Sequence, residues 1–136
     1  MVAIRSAGLA DVPGILELWS EADVVPSHTD DVAGLERLIR HDPGATLVAE
    51  SGDRIIGSVI AAWDGWRGSV YRLAVAPGNR CSGLGRQLVT EAERRLKALG
   101  ARRLQAVVVE SDPGATGFWR ATGWIEQVER VRFVKG

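Results

Sequence analysis

Apolar residues along the first third of the chain follow a helical rhythm after one short strand. Residues 2–5, Val-Ala-Ile-Arg, predict that strand. Asp11 then stands as a helix N-cap, and Pro13 falls in the first turn, where its missing N–H is harmless. Val12, Ile15, Leu18, Trp19 and Ala22 recur at helical spacing and predict a first helix of about three turns. A loop over residues 23–28 contains Pro26. A second helix starts near Asp30 or Asp31, is expected to bury Val32, Leu35, Leu38 and Ile39, and stops at Asp42-Pro43-Gly44.

The rhythm then changes. Residues 45–50, 54–63 and 69–75 read as three strands of an antiparallel meander. Ser51-Gly52-Asp53 joins the first two, and Asp64-Gly65 is a favoured two-residue hairpin signal between the next two. The longest helical pattern covers residues 83–99, apolar at Leu84, Leu88, Val89, Ala92, Leu96 and Leu99, with Gly100 as the stop. Within it, Glu91–Arg95 and Glu93–Lys97 stand in the favourable i,i+4 order. Residues 102–109 predict a strand whose centre, Val107-Val108-Val109, is buried on both faces. An intervening helix makes it parallel to the strand at 69–75. Asp112-Pro113 opens a fourth helix ending at Gly123. A last strand spans roughly residues 125–134, with a bulge or bend where apolar parity changes between Val128 and Val131.

Composition changes little. The 136 residues suit one domain, and 46% hydrophobic with 25% charged residues is the balance of an ordinary globular chain. Seventeen basic and seventeen acidic residues cancel, which gives no electrostatic case for nucleic acid or an anionic membrane. No signal peptide, lipidation motif or membrane-spanning run is read. Cys81 alone excludes an internal disulfide and suits a reducing cytoplasm. The five tryptophans read first as core and hairpin packing, with a pocket wall as the alternative.

The chemistry concentrates at residues 74–86, Ala-Val-Ala-Pro-Gly-Asn-Arg-Cys-Ser-Gly-Leu-Gly-Arg. A strand runs there into a glycine-rich turn that opens a helix, and the exposed N–H groups of such a turn form an anion site suited to phosphate. The Walker pattern fails for want of Gly-Lys-Ser/Thr. The dinucleotide pattern fails because Leu88 stands where its third glycine belongs. What remains is Arg80-Cys81-Ser82-Gly83-Leu84-Gly85, an R-x-x-G-x-G.

This segment resembles the pyrophosphate loop of the GNAT superfamily of N-acetyltransferases, Q/R-x-x-G-x-G/A. Leu73-Ala74-Val75-Ala76-Pro77 resembles the family's approach to the loop, and residues 115–124 resemble its A-x-x-F-Y-x-x-x-G-F segment. The hairpin Asp64-Gly65-Trp66-Arg67-Gly68 resembles a branch of small bacterial members related to the ribosomal-protein acetyltransferases. The resemblance implies a single domain over residues 1–136 of α/β (α+β) class. Its mixed, mostly antiparallel sheet would have about six to seven strands and four helices, in the order β-α-α-β-β-β-α-β-α-β.

The resemblance also implies roles. Backbone N–H groups of Cys81, Ser82, Gly83, Leu84, Gly85 and Arg86 hold the pyrophosphate of acetyl-CoA, with side-chain charge from Arg80 and Arg86. The two parallel strands splay apart. Pantetheine then docks like a strand on Leu73, Ala74 and Val75, where a backbone N–H receives the acetyl carbonyl. Cys81 is incidental, because the family transfers the acetyl group directly. Asp112 and Trp119 fall at the family's asparagine and tyrosine positions, and Val107 falls at its glutamate position. Trp119 has no useful acidic proton and Val107 cannot act as a base, so the usual acid and base are missing. Glu110 is the first substitute base, with Tyr71 and His28 behind it. Trp19, Trp63 and Trp66 offer an apolar wall for the acceptor.

The expected activity is acetyl-CoA-dependent N-acetylation of a primary amine, on a small molecule or on a protein or peptide N-terminus, without a metal. The alternative is a CoA-binding regulatory or interaction module that has lost catalysis. A nucleotide switch is disfavoured by the missing lysine and magnesium ligand. The alternation at Val131 and Phe133 would permit a homodimer through the last strands.

Overall fold

Five strands form one sheet in sequence order in the computed structural model, which describes residues 1–22, 24, 26–108 and 113–136. β1 (Val2–Ser6), β2 (Thr46–Ser51), β3 (Arg54–Trp63) and β4 (Gly68–Val75) pair antiparallel, and β5 (Leu104–Ala106) lies parallel to β4. Four helices interleave with them: α1 (Val12–Glu21), α2 (Val32–His41), α3 (Leu84–Leu99) and α4 (Pro113–Ala121). This is the mixed, mostly antiparallel α+β architecture expected, and the element order holds as far as α4. Two units divide the chain, Met1–Ala106 and Val107–Gly136.

In the first unit the core lies on both faces of β3, which is why Ile56, Val59, Ile60 and Ala61 are all buried. Side chains alternate across a strand. Ser58 therefore faces α1, where it meets Trp19, while Gly57 faces α3. A Cβ at Gly57 would stand 2.9 Å from Leu88 Cδ1, and one at Gly68 would stand 2.7 Å from Leu96 Cδ1. Glycine at these positions lets α3 lie close on the sheet through Leu84, Leu88 and Leu96, all buried. Leu99, by contrast, is exposed at the helix end, where Gly100 at φ 108° turns the chain.

One expected i,i+4 ion pair is replaced by tertiary contacts. Arg95 does not pair with Glu91. It donates to Ala61 O at 2.7 Å and to Asp42 Oδ1 at 2.6 Å, tying α3 to β3 and to the end of α2, while Glu91 pairs with Arg94. A partner that satisfies a main-chain carbonyl as well outweighs a solvated pair on one helix face. Asp11 likewise does not cap α1. Its carboxylate takes two 2.8 Å bonds from Arg5 and the Gly8 N–H at 2.7 Å. Those donors, Arg5 first, hold its carboxyl below the usual value against the opposing effect of burial. Asp31 does cap α2, through the Gly34 N–H.

Several expectations are corrected. The β3–β4 connection is the four-residue loop 64–67. The Asp64 carboxylate accepts both Trp66 and Arg67 N–H groups, an arrangement that suits the longer loop. Val32, in the first turn of α2, is exposed. β5 ends at Ala106, and Val107 is 62% exposed instead of buried on both faces; Val109 lies outside the described residues.

The strand expected at 125–134 does not form, so among the described residues the sheet has five strands rather than six or seven. Ile125, Val128, Val131, Phe133 and Val134 are exposed. A strand persists only within a ladder, and the parity break at 128–131 denies this segment a continuous apolar face. In the second unit, Trp119 of α4 packs edge-on against Trp124, with ring centroids 4.8 Å apart, and against Phe118. Gly123, at φ 89°, turns the chain after the helix.

Candidate functional site

The site begins where β4 loses a neighbour. Its pairing with β5 covers only Gly68–Val70, yet β4 runs on to Val75, so within the first unit the far half of that edge carries no strand. Ala76 donates its N–H to Ile56 O of β3 at 2.8 Å. By the alternation of an antiparallel ladder, the N–H and C=O of Val75 then turn to the other edge. That edge can accept an extended chain. Ala74 is buried opposite Ser58, and Leu73 and Val75 are half-buried.

A bulge marks the same place. Between the Ser58–Ala74 and Ile60–Tyr71 pairs, Val59 alone opposes Arg72 and Leu73. Arg72 has φ 53°, the left-handed conformation that glycine commonly supplies at such bulges. For a residue with a Cβ this costs roughly 1–2 kcal/mol and survives only where surrounding contacts enforce it. The contacts are present. Ser58, fully buried, accepts the indole N–H of Trp19 at 2.8 Å and donates to Arg72 O at 2.9 Å. The Arg72 guanidinium forks onto Asp30 at 3.0 and 2.7 Å, and Asp30 also takes the Ser27 N–H.

Beyond β4 the chain makes a short 3₁₀ turn, Pro77–Asn79, and then the glycine-rich loop. Cys81 at φ 63° and Gly83 at φ 84° are both left-handed, and Ser82 Oγ donates to Asn79 O at 2.6 Å. Gly83, as N-cap, has no side chain to occupy the first amides of α3. A helix start left open in this way attracts an anion by about 0.3–1 kcal/mol, with direct N–H bonds in addition. Cys81, Ser82 and Gly83 are exposed, Leu84 anchors the helix in the core, Gly85 is half-buried and Arg86 is exposed. Arg80 donates to Val75 O at 3.4 Å and to Ala22 O at 3.2 Å, bracing the loop against β4 and the end of α1.

The remaining candidates are dispersed. Trp19 is buried against Ser58. Trp63 is half-buried an odd number of positions along β3 from Ser58, which puts it on the opposite face from Trp19. Trp66 is 68% exposed in the loop, with the Arg67 guanidinium 4.1 Å from its ring centre. The three tryptophans do not line one wall.

Tyr71 is exposed and stands just before the bulge, which separates it from Leu73 and Val75. His28 is exposed in the loop before α2. Trp119 belongs to the second unit, and Glu110 and Asp112 lie outside the described residues. The Trp19–Ser58–Arg72–Asp30 chain was missed by sequence reasoning: Asp30 read as a helix start and Arg72 as an ordinary strand position. Among the described residues, no cluster of His, Cys, Asp and Glu could hold a metal, and no helix is long and apolar enough to cross a membrane.

Within the first unit, the α+β sheet carries its fourth strand past its last pair with β5 and into a glycine-rich helix start, the geometry of an anion-binding strand–loop–helix site. The chain belongs to the acetyltransferase (GNAT) family, whose pattern matches residues 12–124. An acetyltransferase of Pectobacterium atrosepticum is 34% identical over 109 residues, 80% of this chain and 77% of that protein. The fold is similar to a transcriptional regulator of Bacillus halodurans, with a TM-score of 0.79 at 20% identity over 99% of this chain and 100% of that one. It is also similar to the PaiA N-acetyltransferase of Thermoplasma acidophilum, solved with coenzyme A. There the TM-score is 0.77 at 16% identity over 89% and 87% of the two chains. Family membership makes acetyl-CoA-dependent acyl transfer the class of activity.

Proposed function

We propose that this protein is an N-acetyltransferase that moves the acetyl group of acetyl-CoA directly to a primary amine, on a small molecule or on a protein or peptide N-terminus. The observation that supports the reading is the run, within the first unit, from the part of β4 beyond its last pair with β5 into the start of α3. The backbone from Cys81 to Arg86 takes the pyrophosphate, with no side-chain cap from Gly83 competing for the first helix amides. The pantetheine arm lies along Leu73 to Val75, and an outward N–H there receives the acetyl carbonyl as charge builds on its oxygen. Asp112 and Trp119 complete the donor side by their positions in the family pattern.

The amine nitrogen attacks the thioester carbon, the C–S bond breaks, and the thiolate leaves as CoA after taking a proton. Glu110 is the proposed base, with Tyr71 and His28 as further proton-transfer groups. Tyr71, exposed just past the last β4–β5 pair, meets the access requirement. Trp63 and Trp66 are proposed on the acceptor side, and Trp19 supports it from the core. Arg80 and Arg86 supplement the charge at the loop.

We take the chain as one domain, a reading supported by a family match that spans both structural units. A cytoplasmic setting suits the lone, exposed Cys81 thiol. The tie to the ribosomal-protein branch rests on the hairpin segment 64–68 alone, and a homodimer would use the last segment.

The test is release of free CoA thiol from acetyl-CoA over a broad panel of amines. Turnover with at least one amine is expected, together with its loss in Glu110→Gln. Turnover that survives in Glu110→Gln removes that base. Acetyl-CoA binding without turnover on any amine replaces the enzyme with a CoA-binding module.

A further inference from the structure

Arg72 is held in a backbone conformation that a residue with a Cβ avoids, at the point where β4 parts from β5. Three groups hold it there. The Asp30 carboxylate grips the guanidinium with two bonds, and the pair is sheltered: the Asp30 side chain is 11% exposed and that of Arg72 is 28% exposed. Ser58 grips the carbonyl, and Trp19 fixes Ser58 from within the core. Asp30 also takes the Ser27 N–H and donates its own N–H to Ser27 O, so the loop carrying His28 is fastened to the bulge by the same carboxylate. A bulge bends its strand and re-aims the residues beyond it, here Leu73 to Val75.

We propose that Asp30 and Arg72 are positioning residues, which keep the β4 bulge in its left-handed form and thereby aim the Leu73–Val75 edge at the acetyl end of the donor. The guanidinium acts on the backbone and touches neither donor nor acceptor. This rests on the function proposed above for the β4 edge, and it extends the site to a loop and an ion pair on the far side of the strand.

The idea makes an unusual demand on substitutions. If the role of Arg72 is conformational, glycine, which takes positive φ without penalty, replaces it better than alanine does. A side chain that binds ligand, or a plain stabilising ion pair, gives no such order.

Acetyl-CoA binding by calorimetry and amide hydrogen exchange over residues 71–75 of the ligand-free protein are the two readouts. Arg72→Ala and Asp30→Ala are expected to weaken acetyl-CoA binding by about tenfold and to speed exchange, whereas Arg72→Gly stays within about threefold of the wild type. Adding Asp30→Ala to Arg72→Gly changes binding little further, because the carboxylate acts through the conformation that glycine already supplies.

Arg72→Gly binding as weakly as Arg72→Ala, or Asp30→Ala matching the wild type, overturns the proposal. If Arg72→Ala does not fold, the comparison of Arg72→Gly with Asp30→Ala decides it. Should the wild type not bind acetyl-CoA at all, the proposed function fails. The exchange order, alanine faster than glycine, still tests the bulge independently.

Discussion

Ser58 shows how much one buried hydroxyl can carry. It has no solvent exposure, accepts from the Trp19 indole and donates to the Arg72 carbonyl. Ser58→Ala leaves a buried N–H without its acceptor, so unfolding in urea is expected to show a loss of about 1–3 kcal/mol. An unchanged midpoint and slope would remove the hydrogen-bond chain as a source of stability.

Asp11 gives a pH signature. Its carboxyl sits below the ordinary value of 3.8, held first by the Arg5 hydrogen bonds, with the Gly8 N–H adding to them against burial. A depressed carboxyl stabilises the fold above the unfolded pKa, and that stability fades as pH falls through the folded one. Asp11→Asn is expected to cost about 1 kcal/mol at neutral pH, and the gap to the wild type should narrow in denaturation curves below about pH 4. A gap of the same size at both pH values would contradict the pairing. At this scale the sequence was least informative, because Asp11, Asp30, Arg72 and Arg95 find partners through the tertiary fold and no spacing rule encodes them.

Elements were far more legible. Trp19 and the residues spaced with it, the glycine stops and the alternating strands each signal a local period that the fold preserves. The failures share a cause: a strand depends on partners. β5 shortens to three residues and residues 125–134 form none, although both segments are rich in β-branched side chains.

The seat of α3 on the sheet depends on glycines that carry no periodic signal. Gly68→Ala would drive a Cβ to 2.7 Å from Leu96, which is fully buried and has little room to move. A loss of about 1–3 kcal/mol in thermal or urea unfolding is expected. Gly78→Ala, whose Cβ meets nothing within 4 Å, serves as the near-neutral comparison. Equal stability of the two variants would mean that α3 does not press on β4 as described.

For the whole molecule, the proposed donor side could be argued from the sequence because its chemistry would be carried by backbone in one contiguous stretch. The glycines and the strand-to-helix order announce such a site directly. The acceptor side had no such signal, because a site gathered from separate elements leaves no contiguous pattern, and Trp19 and Trp63 lie on opposite faces of the sheet. Balanced charge gave no hint of the amine.

The loop therefore bears the decisive test, titration of acetyl-CoA into the wild type and into Gly83→Val. A Cβ at Gly83 meets open space, so the variant should fold, but a β-branched residue resists φ 84° and so distorts the amide cradle. One-site binding of acetyl-CoA is expected in the wild type, undisturbed by ATP, and weakened about tenfold or more in Gly83→Val. No heat with either acetyl-CoA or CoA, or preferential binding of ATP, would contradict the assignment of this loop.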